Sequence, residues 1–137
     1  MSLELVIVTP SGEAYRGRVE RVVLPGTEGD FGVLAGHERF LCPLRTGEVH
    51  ITTEEGGTLG AAVAGGFADV GAEEAVVLAE ACETADQIDF DRAERARTRA
   101  EEALAQIEDH SDPAGLREQE AALRRAVNRI QVAEKSL

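Results

Sequence analysis

All but one of the 14 glycines lie before residue 88, the exception being Gly115. Glycine punctuates turns and bends, and it weakens the interior of a helix by roughly 0.5–1 kcal/mol relative to alanine. The chain therefore has two grammars, with the change between residues 84 and 87. Residues 1–86 break into short β-branched runs at 3–9, 19–24, 32–34, 49–53, 59–64 and 75–81. Between them stand the turn signals Pro10-Ser11-Gly12, Glu54-Glu55-Gly56-Gly57 and Gly71-Ala72-Glu73-Glu74, the middle one joining two runs close enough to form a hairpin. Strands at this spacing predict a β-sandwich or barrel with antiparallel pairing throughout. In 3–9 and 17–24 polar and apolar residues alternate at one end and become wholly apolar at the other, as in strands that run from an exposed edge into a core covered on both faces.

Residues 87–137 are rich in Ala, Arg and Glu, which lose little rotamer freedom in a helix. Ala93, Ala96, Ala100, Ala103 and Ile107 recur at steps of three and four, as do Leu116, Gln119, Leu123, Ala126, Ile130, Ala133 and Leu137. Each series is the seam of an amphipathic helix. Asp109-His110-Ser111-Asp112-Pro113 separates them, with the proline suited to the first position of a new helix capped by the residue before it. The expected fold class is α+β: an antiparallel β-sandwich over residues 1–86, then an antiparallel two-helix hairpin over 87–137. An alanine seam buries little area, a few kcal/mol at about 25 cal/mol per Å². A hairpin held so weakly is open to bias by a ligand or partner.

Charge and composition exclude several classes of function. The formal charge is −12, from 14 basic and 26 acidic residues. Such a field repels nucleic-acid backbones and anionic lipid. Aromatic residues are 4% of the chain, which leaves little for base stacking. No apolar run reaches the roughly 18 residues that cross a bilayer, and the opening Met-Ser-Leu-Glu lacks the regions of a signal peptide, so the chain is expected to stay where it is made. Cys42 and Cys82 have no zinc-site spacing and read as buried small residues of a reducing compartment. Residues 1–86 hold 5 basic and 15 acidic residues, whereas 121–137 hold 4 basic and 1 acidic. The basic tail suits an acidic partner.

Motifs of catalysis are missing. The loop from Pro25 to Gly32 has neither a Walker lysine nor a GxGxxG pattern, and acids stand where a phosphate would sit. His37, His50 and His110 have no metal-binding spacing, and no metal is expected. Asp89 and Asp91 have an ordinary role in the first turn of a helix, where acids meet the positive end of the dipole. One constellation stands out. Arg92, Arg95 and Arg99 share a face of the first helix, and Arg125 and Arg129 are one turn apart on the second. In an antiparallel hairpin these guanidinium groups converge, and such groups bind phosphate in bidentate fashion. The alternative is solvated helix charges paired with Asp91, Glu94 or Glu134, each pair worth about 0.3–0.5 kcal/mol.

Three segments in order, Leu24 through His37, Gly65-Gly66-Phe67-Ala68-Asp69-Val70, and Ile88-Asp89-Phe90-Asp91-Arg92-Ala93, together with the closing Asn128-Arg129-Ile130-Gln131-Val132-Ala133, resemble the epsilon subunit of the rotary F-type ATP synthase. The likeness runs essentially from end to end. It implies a sandwich of about ten strands that grips the gamma subunit and rests on the c-ring, in a non-catalytic rotor subunit with a regulatory hairpin. Glu28 and Asp30 match the segment that touches the c-ring, and His37 matches a gamma contact. After His37 the family has a small apolar residue and proline, where this chain has Glu38-Arg39-Phe40-Leu41-Cys42-Pro43.

In relatives the hairpin permits turnover when folded against the sandwich and blocks ATP hydrolysis when extended into the catalytic head of alpha and beta subunits. Arg124, Arg125, Arg129 and Lys135 would meet that head. The resemblance also implies no required cofactor, and ATP as a regulatory ligand of the folded state through the Ile/Leu-Asp-x-x-Arg-Ala motif. Its contacts would fall on Glu83, Ile88, Asp89, Arg92, Ala93, Arg99, Arg125 and Arg129. The expected location is the cytoplasmic side of a bacterial plasma membrane, peripheral and reached through the complex. A stand-alone ATP-binding conformational switch is the alternative.

Overall fold

The computed structural model describes residues 1–107 and 112–135. Nine strands come first: β1 (Leu3–Thr9), β2 (Gly12–Gly26), β3 (Gly29–Leu34), β4 (Phe40–Leu44), β5 (Gly47–Thr53), β6 (Thr58–Val63), β7 (Gly66–Val70), β8 (Glu74–Ala79) and β9 (Cys82–Thr84). A single 3-10 turn, Ala85–Gln87, leads to α1 (Phe90–Gln106) and α2 (Pro113–Lys135).

The sheet order is β1-β8-β7-β4-β2-β5-β6-β9, with β3 on the flank of β2. Closure comes from β2, whose 15 residues are long enough to serve two layers. Its first half pairs with β1, and its second half with β3 and β5. The register shifts between Val19 and Arg21, at the place where the strand passes from one layer to the other. Leu3, Leu5, Ile7, Val19, Val22, Leu24, Val49, Ile51 and Val77 are buried between the layers. The wholly apolar ends of β1 and β2 are thus the covered ends, as their sequence implies.

One expectation is overturned. β1 pairs with β8 in parallel, Leu5 opposite Ala75 and Ile7 opposite Val77. A tight turn can join only antiparallel neighbours, but β2 to β7 all intervene here, so chain connectivity does not fix the direction. All four side chains are fully buried, and burial of that face sets the register. Three strands had no signal in the runs: β4 contains Pro43, β9 has only three residues, and β7 opens on a glycine. At Gly66, with φ +122°, an added Cβ would lie 1.9 Å from the Leu78 carbonyl oxygen, so β7 approaches β8 as only glycine allows. Nor are the cysteines deeply buried, since both are only partly covered.

Asp89 caps α1, its carboxylate accepting from the Arg92 amide at 3.0 Å. Asp112 does the same for α2, accepting from the Gly115 amide at 3.0 Å, with Pro113 in the first helical position. The two helices pack along each other through Ala93, Ala100, Ala126, Ile130 and Ala133. Leu137 and His110 lie outside the described residues. The hairpin is docked: Val132 is 1% exposed in a small cluster with Ala62, Ala85 and Ile88, apart from the main core. Asn128 Nδ2 donates to the Gly47 carbonyl at 2.8 Å, and Lys135 Nζ donates to Glu48 Oε1 at 2.7 Å.

Candidate functional site

Docking of the hairpin creates a cavity of about 280 Å³ where β9, the start of α1 and the middle of α2 meet. Glu83 reaches it from β9, where the strand pairs with β6 at Ala62. Ile88 and Asp89 line it just before α1, Arg92 and Ala93 from the first turn, and Arg129 from α2. A smaller space of about 40 Å³ shares Glu83 and Arg129 and adds Arg125. Six of the eight residues expected to bind nucleotide thus border the larger cavity, and Arg125 borders the smaller space. Arg99 does not border it: it is exposed, two turns along α1 from Arg92.

The electrostatics leave the arginines available. Arg92, Arg95, Arg99 and Arg125 form no ion pair among the described residues, while Glu94 pairs instead with Arg97 at 2.6 Å. Asp91, Glu94 and Glu134 thus pair with none of these arginines among the described residues, all four of which are exposed. Arg129 sits 3.8 Å from Glu83, too far for a hydrogen bond, and its Nε is buried with no partner. A buried donor without an acceptor costs about 1–3 kcal/mol. Asp89 is committed to its cap. The cavity can take an anion against Arg92 and Arg129 and a polar edge against Glu83, and its volume is near the lower end for small-molecule sites.

Sequence reasoning missed Thr9, Ser11 and Glu80 on the rim, and Cys82 in the wall. The turn after β1 meets the cavity only because β1 lies beside β8, a pairing no local pattern records. Burial, with a further push from Glu83, raises the Cys82 thiol from 9.0 to about 11. No group of three metal-ligating side chains occurs among the described residues.

The other expected contacts lie on the sandwich. Glu28 is exposed in the turn between β2 and β3, and Asp30 binds the Arg45 guanidinium. His37 follows β3, its Nδ1 2.7 Å from the Glu38 carbonyl oxygen and its ring 6.0 Å from Phe40. Beyond Phe40, on the outer face of β4, β7 and β8, Leu41, Phe67 and Leu78 stand more than half exposed. Phe67 is directly opposite Leu78 across the strands. Such an apolar patch marks an interaction surface. Of the four basic residues assigned to an extended state, Arg124 and Arg125 are exposed, Arg129 faces the cavity, and Lys135 is held by Glu48.

Comparison with known proteins agrees with this architecture. The family described as "ATP synthase, Delta/Epsilon chain, beta-sandwich domain" matches residues 2–85, and the companion "long alpha-helix domain" matches residues 86–134. The ATP synthase epsilon chain of Bacillus pumilus is 42% identical over 134 residues, covering 98% of each chain. That of Nitratidesulfovibrio vulgaris is 44% identical over 131 residues, 96% of this chain and 95% of its own. Among solved structures, a chain of the Euglena gracilis mitochondrial ATP synthase (OSCP/F1/c-ring, rotational state 1) superimposes with a TM-score of 0.78 at 22% identity, covering 93% of this chain and 78% of its own. One from the central stalk and c-ring of the Tetrahymena thermophila mitochondrial enzyme has a TM-score of 0.61 at 17% identity, with 99% and 96% covered. By its match to both family domains and by close relatives over nearly its whole length, the chain belongs to the ATP synthase delta/epsilon chain family.

Proposed function

We propose that this chain is the epsilon subunit of a proton-translocating F-type ATP synthase, a non-catalytic rotor part that links gamma to the c-ring. Its hairpin brakes ATP hydrolysis and is released or retained according to ATP. The observation that carries the regulatory half is the composite cavity: Glu83, Asp89, Arg92 and Arg129 come from β9, α1 and α2, and they meet only while the hairpin is docked. A ligand bound there binds the docked state alone. At 100 times its dissociation constant it stabilises that state by about 2.7 kcal/mol.

The stalk half is supported by the apolar face of Leu41, Phe67 and Leu78, which suits gamma, and by the acidic turn with Glu28, which suits a basic c-ring loop. With no helix long and apolar enough to cross a membrane among the described residues, attachment to the cytoplasmic face of the bacterial membrane would run through these partners. When the hairpin extends, Arg124, Arg125, Arg129 and Lys135 meet acidic segments of the alpha and beta subunits.

Two experiments test the reading. Calorimetric titration of the full chain with ATP, with and without magnesium, should give saturable one-to-one binding; no heat at millimolar ATP removes the regulatory half. Co-purification with gamma tests the stalk half, which fails if gamma and the c-ring assemble fully without this chain.

A further inference from the structure

The C-terminal end of α2 is tied down at a point the nucleotide cavity does not touch. Glu48 stands on the outer face of β5, with only 11% of its side chain exposed. Space for it exists because position 60, on the neighbouring β6, is glycine: a Cβ there would come 2.6 Å from Glu48 Oε2. One oxygen, Oε1, takes Lys135 Nζ at 2.7 Å and His50 Nε2 at 2.8 Å. A carboxylate so covered must be compensated by a cation. His50 is charged only when protonated, so among the described residues Lys135 is the one permanent cation in contact with it.

The contacts form a stripe. Asn128, Val132 and Lys135 recur at steps of four and three along one face of α2, and they meet Gly47, Ala62 and Glu48 in turn. Asn128 is bonded to backbone, and Val132 to an apolar cluster, so neither contact chooses between partners by charge. Lys135 does: 62% of its side chain is exposed, and it is among the basic residues that an extended hairpin would present to an acidic partner.

We propose that Glu48, oriented by His50, is the docked-state receptor for Lys135, forming a clasp that must open before the hairpin can leave the sandwich. Lys135 cannot serve Glu48 and an acidic partner together, so the clasp competes directly with the extended state. This rests on the hairpin being releasable and not on nucleotide binding, which is why the test uses the full chain without nucleotide.

The test is amide hydrogen exchange on Glu48→Gln, Lys135→Gln and the double variant. Each single variant is expected to speed exchange across the last two turns of α2 about five-fold, with β1, β2 and β8 unchanged. The double variant should be no faster than either single, because the two side chains act through one contact. Unchanged exchange in both singles overturns the clasp. Effects that multiply in the double variant, or faster exchange throughout β5 and β6 in Glu48→Gln, overturn it equally, since Glu48 would then act on its own strand. Lys135 lies at an exposed helix end, so its variant folds whatever Glu48→Gln does.

Discussion

Replacing Val132 by alanine should undock the hairpin without weakening either the sandwich or the helix. Val132 is the largest buried side chain of α2 at the junction, clustered with Ala62, Ala85 and Ile88. Truncation removes two methyl groups, about 1.6 kcal/mol at ~0.8 kcal/mol each. A residual cavity against two alanines that cannot move inward raises the loss to about 2–3 kcal/mol. At 1.4 kcal/mol per decade, the undocked fraction rises about 25- to 140-fold. Alanine is the better helix former, so the helix itself gains slightly. The sandwich core has no member beyond Ala79, so its melting temperature should hold. Trypsin reads the open fraction when reclosing is fast relative to cleavage, and Arg117, Arg124, Arg125, Arg129 and Lys135 are its targets in α2. Cleavage there should accelerate by the factor above while the sandwich fragment persists. An unchanged rate, or a lowered sandwich melting temperature, would refute the claim that this cluster holds the hairpin.

Arg92→Ala and Arg129→Ala should each weaken ATP binding by at least about 1.5 kcal/mol, the lower range for charge-assisted hydrogen bonds, whereas Arg99→Ala should cost less than either. Calorimetry of the three variants decides, and full affinity in the first two rejects the cavity as the site. Cys82, raised from 9.0 to about 11, carries at pH 8 about a hundredfold less thiolate than an unperturbed thiol and should alkylate correspondingly slowly. ATP should slow it further, since Cys82 lines the cavity; mass spectrometry with iodoacetamide checks both, and reaction as fast as a free thiol contradicts the burial. Deleting residues 88–137 should leave a cooperatively folding sandwich by circular dichroism, and an unfolded product would show that the hairpin is needed for its core.

What could be read from the sequence followed the range of the interactions. β1 and the hairpin of β5 and β6 are local, so alternation and the Glu54-to-Gly57 turn were sufficient signals. Asp112-Pro113 announced the start of α2 for the same reason. The parallel pairing of β1 with β8 was invisible, because direction there depends on where the chain returns after six intervening strands. β4 was obscured by Pro43, which pairs with Phe67 in a strand that touches β2 at Gly26 alone.

The site shows the same division. Helical spacing put Arg92 with Arg99, yet the cavity reaches only the first turn of α1, and seven residues along the axis is roughly 10 Å. Glu48 gave no signal at all. Alternation in Gly47-Glu48-Val49-His50-Ile51 sends Glu48 and His50 outward, where a strand pattern reads them as solvated. Only the arrival of α2 makes that surface an interior, and nothing near residue 48 encodes where residue 135 will lie.

On the proposed function, a small ligand decides whether the hairpin stays docked. Among the described residues its attachments to the sandwich include one four-residue apolar cluster, the Asn128 and Lys135 bonds, and a loose Arg129–Glu83 pair. Of the two ion pairs, the clasp has an exposed lysine and Arg129–Glu83 is loose at 3.8 Å, so each contributes at most about 1 kcal/mol. A ligand term of about 2.7 kcal/mol is therefore as large as the Val132 contribution and larger than the clasp. The Arg129 guanidinium can gain ligand bonds without surrendering good ones, because its pair with Glu83 is loose at 3.8 Å. Lys135, in contrast, must give up Glu48 before it can bind elsewhere. The middle and the end of α2 are thus set differently: the middle rewards a ligand that stays, and the end penalises departure. Release requires both conditions to fail, so the brake would respond to nucleotide depletion only where an acidic surface is ready to receive Lys135.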